Sequence, residues 1–191
     1  MTGTHNTGKT TLCYQLVGRL MRKGLRASLA GEPSRSSRFL AAGMRGYETQ
    51  LDLMTGAVRN ELEASRQSDI VICDRSLIDV LGYTRALGEP ASQYEEHLRI
   101  AMSEFIQHYI KTYTLIFKTT WMFDMAGSDD PLRIPGPDFQ RQVDLGIEEA
   151  IDSLNAPVIY LADYASALCQ VESEILKLLM TESRSDSVET S

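Results

Sequence analysis

The chain is poor in the residues that staple proteins or anchor them. Its three cysteines, Cys13, Cys73 and Cys169, are odd in number, far apart and set among apolar neighbours. That excludes a disulfide framework and a cysteine-spaced zinc site, and it predicts reduced thiols in the core. No apolar run approaches the ~18 residues of a membrane span, so no membrane role is expected. A secretion signal would need an apolar stretch where the chain opens with Gly, Thr and Asn, and together with the thiols this predicts a cytoplasmic protein. Basic residues are also outnumbered. The net charge of −7 argues against sequence-independent adhesion to nucleic acid or acidic lipid. There are no internal repeats and no linker that would split the 191 residues. The 43% apolar content suits one domain with a proper core.

What is present is concentrated early. Gly3-Thr4-His5-Asn6-Thr7-Gly8-Lys9-Thr10 fits the phosphate-binding pattern G-x-x-x-x-G-K-[ST] and stands directly before an amphipathic helical segment. The glycines let the backbone curl so that successive N–H groups face one anion, and the helix N-terminus adds its positive dipole end. Lys9 supplies a charge for the β and γ phosphates, and Thr10 is placed to ligate Mg²⁺. Charge is lopsided as well. Up to Arg45 eight basic residues face the single acid Glu32, leaving eleven basic against twenty-five acidic beyond. Arg19, Arg22 and Lys23 suit a solvated helix face, whereas Arg35, Arg38 and Arg45 follow a strand end, where charge tends to meet an anion.

Periodicity predicts the remaining elements. Leu12, Leu16, Val17, Leu20 and Met21 mark a helix over 9–23 that Gly24 stops. A strand over 26–30 breaks at Gly31-Glu32-Pro33. A helix follows over 47–67, with Leu51, Met54, Val58, Leu62 and Ser65 on one face. The apolar run 69–73 is the clearest strand, and its continuity predicts burial on both faces of a parallel sheet. Further helices are expected over 77–86 and 92–111, the latter with Leu98, Met102, Phe105, Ile106 and Tyr109 inward. A strand over 113–119 leads to a lid at about 120–141. A helix over 139–154, a strand over 157–161 and a helix over 164–180 complete one domain, 1–180, and 181–191 reads as a disordered tail. Alternating strands and helices imply an α/β parallel sheet with helices on both faces and ligands at the carboxyl ends of the strands.

Those ends carry chemistry. Asp74 closes the strongest strand in the manner of a Mg²⁺-holding acid, although a helix-capping role fits the position too. Arg75 suits a phosphate oxygen or an acceptor. Glu32, held extended before Pro33, suits the proton of an attacking hydroxyl or a solvated turn equally.

The order of phosphate loop, Gly-Glu-Pro, long helix, Asp74-Arg75-Ser76 and arginine-bearing lid resembles the deoxynucleoside kinase and thymidylate kinase superfamily, over nearly the whole chain to about Leu161. The stretches Asp74 to Tyr83 and Asp130-Pro-Leu-Arg133, with Pro137 to Asp144 beyond, look most like its branch of nicotinamide riboside kinase-like and phage-type kinases. The resemblance implies a three-layer P-loop NTPase fold with sheet order 2-3-1-4-5 and transfer of the ATP γ-phosphoryl group to a nucleoside or nucleotide. Carried over by position, Gly3, Thr4, Asn6, Thr7, Gly8, Lys9, Thr10 and Thr11 bind ATP, while Thr10 and Asp74 hold Mg²⁺. Glu32 is base or acceptor clamp, Arg75 grips the acceptor, and Arg133 and Arg141 arrive from the lid.

The segment 35–50 lacks a thymidylate kinase's glycine-rich continuation and the Trp that deoxynucleoside kinases place after Glu-Pro, so base preference stays open. Arg35, Arg38 and Arg45 favour a monophosphate over a free nucleoside. Two rivals remain: a kinase of a modified base hydroxyl in phage DNA, which needs a basic channel, and a nucleotide-dependent switch or hydrolase working through a protein partner, with His5 or Asn6 orienting water. The helix face of 92–111 could form a homodimer contact or a core stripe. Only Met1 and Thr2 precede Gly3, so the strand that should lead into the loop is expected either in residues before Met1 or replaced by another segment.

Overall fold

A computed structural model describes residues 1–123 and 137–189. In chain order these form α1 (Lys9–Arg22), β1 (Ala27–Ala30), α2 (Arg38–Ala41), α3 (Tyr47–Ser65), β2 (Ile70–Cys73), α4 (Leu77–Ala86), α5 (Gln93–Tyr109), β3 (Ile116–Thr119), α6 (Pro137–Leu154), β4 (Val158–Leu161) and α7 (Tyr164–Glu189). Among the described residues the protein is thus a mixed α/β fold with parallel strands and seven helices. None of those helices is long and apolar enough to cross a membrane. The last helix, expected over 164–180, runs on as α7 to Glu189; no Gly or Pro after Met180 interrupts it. Of the expected lid, 120–123 lie beside the phosphate loop, 137–141 begin α6, and 124–136 fall outside the described residues.

The strands pair as β1 with β2, Ala27 opposite Ile70 through Ala30 opposite Cys73, and as β3 with β4, Ile116 opposite Val158 through Thr119 opposite Leu161. Between the pairs stand Met1 and Thr2. Thr2 N–H donates to Phe117 O at 2.7 Å, Thr119 N–H donates to Thr2 O at 3.1 Å, and the Met1 ammonium donates to Cys73 O at 3.0 Å. The slot expected for a first strand therefore holds these two residues at its carboxyl end, as an isolated parallel bridge from Thr2 to Lys118. Behind them lies a crevice of about 540 Å³ lined by β2 and by Leu115 to Phe117 of the β3 side. This explains why Ile70 and Val71 are only half-buried and only Ile72 of β2 is fully covered, although the apolar run predicted burial on both faces.

Two apolar cores flank the strands. Leu12, Leu16 and Leu20 of α1 pack with Phe117, Leu161 and Val171. On the other side Leu77, Ile78, Met102, Ile106 and Ile147 join α4, α5 and α6. Two inner faces depart from their expected stripes. On α3, Leu62 is exposed and Glu61 buried, because Tyr109 and Tyr113 hydroxyls donate to the Glu61 carboxylate at 3.0 and 2.9 Å. On α5, Phe105 points outward while Met102 and Ile106 carry the contact. Lys118 is buried on β3, and its ammonium is held by Asp144 and Glu148 of α6, both at 2.9 Å.

α4 and α6 touch backbone to backbone. A Cβ on Gly146 would stand 2.6 Å from Gly82 O, and one on Gly82 would stand 2.9 Å from the Ile147 backbone nitrogen. Neither neighbour is a flexible side-chain tip, so any side chain here forces the helices apart. Gly146→Ala is expected to cost about 1–3 kcal/mol and to lower the melting temperature by several degrees. A calorimetric scan of the variant checks this; an unchanged transition would contradict the packing described.

Candidate functional site

The phosphate loop is shaped where its motif predicts. Gly8 caps α1 at φ +76°, in the left-handed region that disfavours a side chain. A Cβ there would also stand 2.7 Å from the Tyr164 ring. An aromatic group covers this side of the loop. The Trp121 indole N–H donates to Thr7 O at 2.7 Å, Phe123 and Asn6 exchange backbone and side-chain bonds, each at 2.9 Å, and both Trp121 and Phe123 meet the Tyr164 ring edge to face.

Lys9 lies within the loop, buried, its ammonium donating to Thr4 O and at 3.0 Å to Thr7 Oγ1. Burial first, and then the positive charge of Arg75, pull its pKa from 10.5 down to about 8. Asp74 is buried at the end of β2. The Thr10 hydroxyl favours its ionised carboxylate, while burial, the larger influence, pushes its pKa up. Among the described residues no hydrogen bond reaches its Oδ1. An orphaned buried carboxylate oxygen, together with the hydroxyl of the residue that follows the loop lysine, is a donor set that fits Mg²⁺. Thr11 is exposed on the first turn of α1.

On the other side of the loop, Glu32 and Arg75 meet, as strand-end placement predicts. Arg75 Nε donates to Glu32 Oε1 at 2.6 Å. Burial of Glu32 would raise its pKa, yet the charge and hydrogen bond of Arg75, aided by Ser34 and Lys9, bring it below the ordinary value. The carboxylate is therefore ionised at neutral pH. Arg75 adopts φ +89°, a region that costs an ordinary residue on the order of 1–2 kcal/mol. Its guanidinium offsets this through several partners: Glu32, Gly3 O at 3.4 Å, Asp79 Oδ2 at 3.3 Å, and the Tyr83 ring, whose centroid lies 5.5 Å away.

This pair lines a cavity of about 130 Å³. Its apolar wall comes from Pro33, Leu40, Leu53, Val80 and Leu87, and its aromatic wall from Tyr83 and Phe139. His5 of the loop closes one side, with Nδ1 at 3.1 Å from Tyr83 OH. Arg35 and Arg45 both line it, Arg45 donating to Leu40 O at 3.2 Å and Met44 O at 2.8 Å. Arg38 does not. It is exposed on α2 and outside the lining. Arg141 is also exposed and bonded to Asp138 on its own helix, and Arg133 lies outside the described residues.

Several site residues escaped the sequence reading. Asp79 is 2% exposed and accepts from Gly3 N–H at 3.0 Å. Gln50 is buried on α3 and lines the cavity. Gln140 of α6 donates to His5 O at 2.8 Å while its own carbonyl accepts from Thr4 Oγ1 at 3.2 Å. The available signal was a polar residue inside an apolar helical turn, as in Leu77-Ile78-Asp79-Val80-Leu81.

A family model described as an AAA domain matches residues 1–166. No curated protein matches the chain.

The free lysine loses its proton near pH 8, and bound phosphates favour the ammonium. Nucleotide binding is therefore expected to take up protons above about pH 8 and to weaken as the pH rises further. Calorimetric titration with ADP in buffers of different ionisation enthalpy reads this directly: uptake at about pH 9, little at about pH 7, and none in Lys9→Met.

Proposed function

The chain belongs to the AAA-domain family, with a nucleotide-binding P-loop domain, and we propose that it transfers the γ-phosphoryl group of ATP to a nucleoside monophosphate or nucleoside. One observation carries this reading. Beside the loop that would hold the donor phosphates is a walled cavity bearing an ionised carboxylate and a guanidinium, Glu32 and Arg75. A hydrolase needs room for water alone, whereas apolar and aromatic walls suit an organic acceptor. The Gln50 amide offers donor and acceptor to a ring edge.

In this reading the loop N–H groups and Lys9 bind the β and γ phosphates, and Thr10 and Asp74 would hold Mg²⁺, which would supply positive charge against those phosphates. Glu32, ionised at neutral pH, accepts the proton of the attacking hydroxyl where the acceptor is a nucleoside, and acts as an acceptor clamp where a phosphate oxygen attacks. Arg75 holds the acceptor in line. Arg133 from the lid, with Arg141 if α6 shifts inward, would neutralise charge on the transferring group. Positioning and electrostatics supply the rate. The same reading takes the strand pairs and Met1-Thr2 as the 2-3-1-4-5 order of a three-layer sheet, in a cytoplasmic protein whose three cysteines are free.

Arg35 and Arg45 at the cavity favour an acceptor that already carries phosphate. Consumption of ATP, measured with and without a panel of nucleosides and monophosphates, tests the proposal: acceptor-dependent ADP release supports it, and hydrolysis indifferent to every acceptor sinks it in favour of a switch. With the responding monophosphate, Arg35→Ala is expected to raise KM about tenfold. Arg38→Ala, off the cavity, should leave it unchanged.

A further inference from the structure

Asp79 has no place in the chemistry just described, yet it touches both halves of it. It stands on the first turns of α4, where its Oδ1 accepts from Gly3 N–H at 3.0 Å and from the Thr2 hydroxyl. Oδ2 accepts from Arg75 Nη1 at 3.3 Å. One helical turn on, Tyr83 supports the Arg75 guanidinium from its ring face and meets His5 of the loop at 3.1 Å through its hydroxyl. A single face of α4 therefore holds the phosphate loop at two points and the cavity arginine between them.

We infer that Asp79 is a positioning residue for phosphoryl transfer: it ties Arg75 of the acceptor cavity to the start of the phosphate loop and so fixes the register between acceptor and donor. The inference rests on the transfer reading above. Arg75 already has Glu32 as an anionic partner, so neutralising its charge does not require a second acid. What the second acid adds is direction. Glu32 holds Nε from the end of β1, Asp79 holds Nη1 from α4, and Gly3 O accepts from that same Nη1. With both acids the guanidinium plane is fixed relative to Gly3. Without Asp79, Nη1 keeps only the longer bond to Gly3 O, at 3.4 Å, and the plane is freer to turn about the Cδ–Nε bond. In-line transfer tolerates little of that movement, since a displacement of about 1 Å can cost about 100-fold in rate.

The test uses Asp79→Asn, whose amide oxygen still accepts from Gly3 N–H and the Thr2 hydroxyl while the negative charge facing Arg75 Nη1 is lost and that of Glu32 stays. Turnover is followed with the acceptor that the wild type uses, or as ATP hydrolysis if it uses none. The expected result is a fall in kcat of about 100-fold, with KM for ATP and the dissociation constant of ADP within about threefold and the melting temperature nearly unchanged. Asp79→Glu, which restores the charge, should recover part of the loss. Because Asp79 acts through Arg75, Asp79→Asn should cost little more once Arg75→Ala is in place.

Loss of kcat, ADP affinity and melting temperature together would make Asp79 a merely structural anchor and overturn the inference. So would a cost that adds in full on the Arg75→Ala background, or an unchanged kcat. If no acceptor is phosphorylated but hydrolysis responds to Asp79→Asn as described, the transfer reading fails while the tie between Arg75 and the loop stands. A wild type inactive on ATP with and without acceptors overturns both.

Discussion

A guanidinium withdrawn from water is the constraint around which this protein is arranged. Arg75 carries its charge at every accessible pH, and a buried charge without partners is strongly destabilising. Its partners come from far apart in the chain: Glu32 beyond β1, Asp79 from α4, and Gly3 O before the phosphate loop. Satisfying one side chain therefore draws the end of β1, the start of α4 and the phosphate loop to one point. The left-handed backbone at Arg75 belongs to the same arrangement, because the turn out of β2 is what aims the side chain back across the strand ends. The cavity forms where these elements cannot close on one another.

How legible this was depended on distance along the chain. The phosphate loop is local, eight consecutive residues with the helix they open, and its geometry followed. The positions of Glu32, Asp74 and Arg75 beside the loop were legible because strand ends are easily located. Arg35, Arg38 and Arg141 looked alike as charges, but composition says nothing about direction: only Arg35 lines the cavity. Asp79 and Gln50 were hidden for the opposite reason. Each looks like an ordinary polar residue on a helix, and its burial depends on a neighbouring element that periodicity cannot supply. Glu61 and Leu62 show the limit most plainly. A hydrophobic stripe favours Leu62 inward, and two tyrosine hydroxyls from α5 and the turn after it reverse the choice.

The strands tell a related story. A continuous apolar run at 69–73 identified a strand with cover on both faces, yet β2 has a full ladder on one edge only. On its other edge Met1 and Thr2 reach the last carbonyl of β2 and two groups of β3, and the crevice begins below them. The two strand pairs are thus joined most firmly at the end that carries the phosphate loop and the cavity. α6 adds a second tie there, since the buried Lys118 ammonium of β3 holds Asp144 and Glu148, and the same helix brings Phe139 to the cavity and Gln140 to the loop.

Trp121 is the only tryptophan in the chain, and its indole N–H is bonded to a carbonyl of the phosphate loop. Indole emission depends on the polarity and hydrogen bonding around the ring, so the emission excited beyond the absorption of the eight tyrosines originates beside a single peptide group of that loop. The molecule carries its own optical probe, placed against the backbone of the phosphate loop, and the probe is free of background from any other indole.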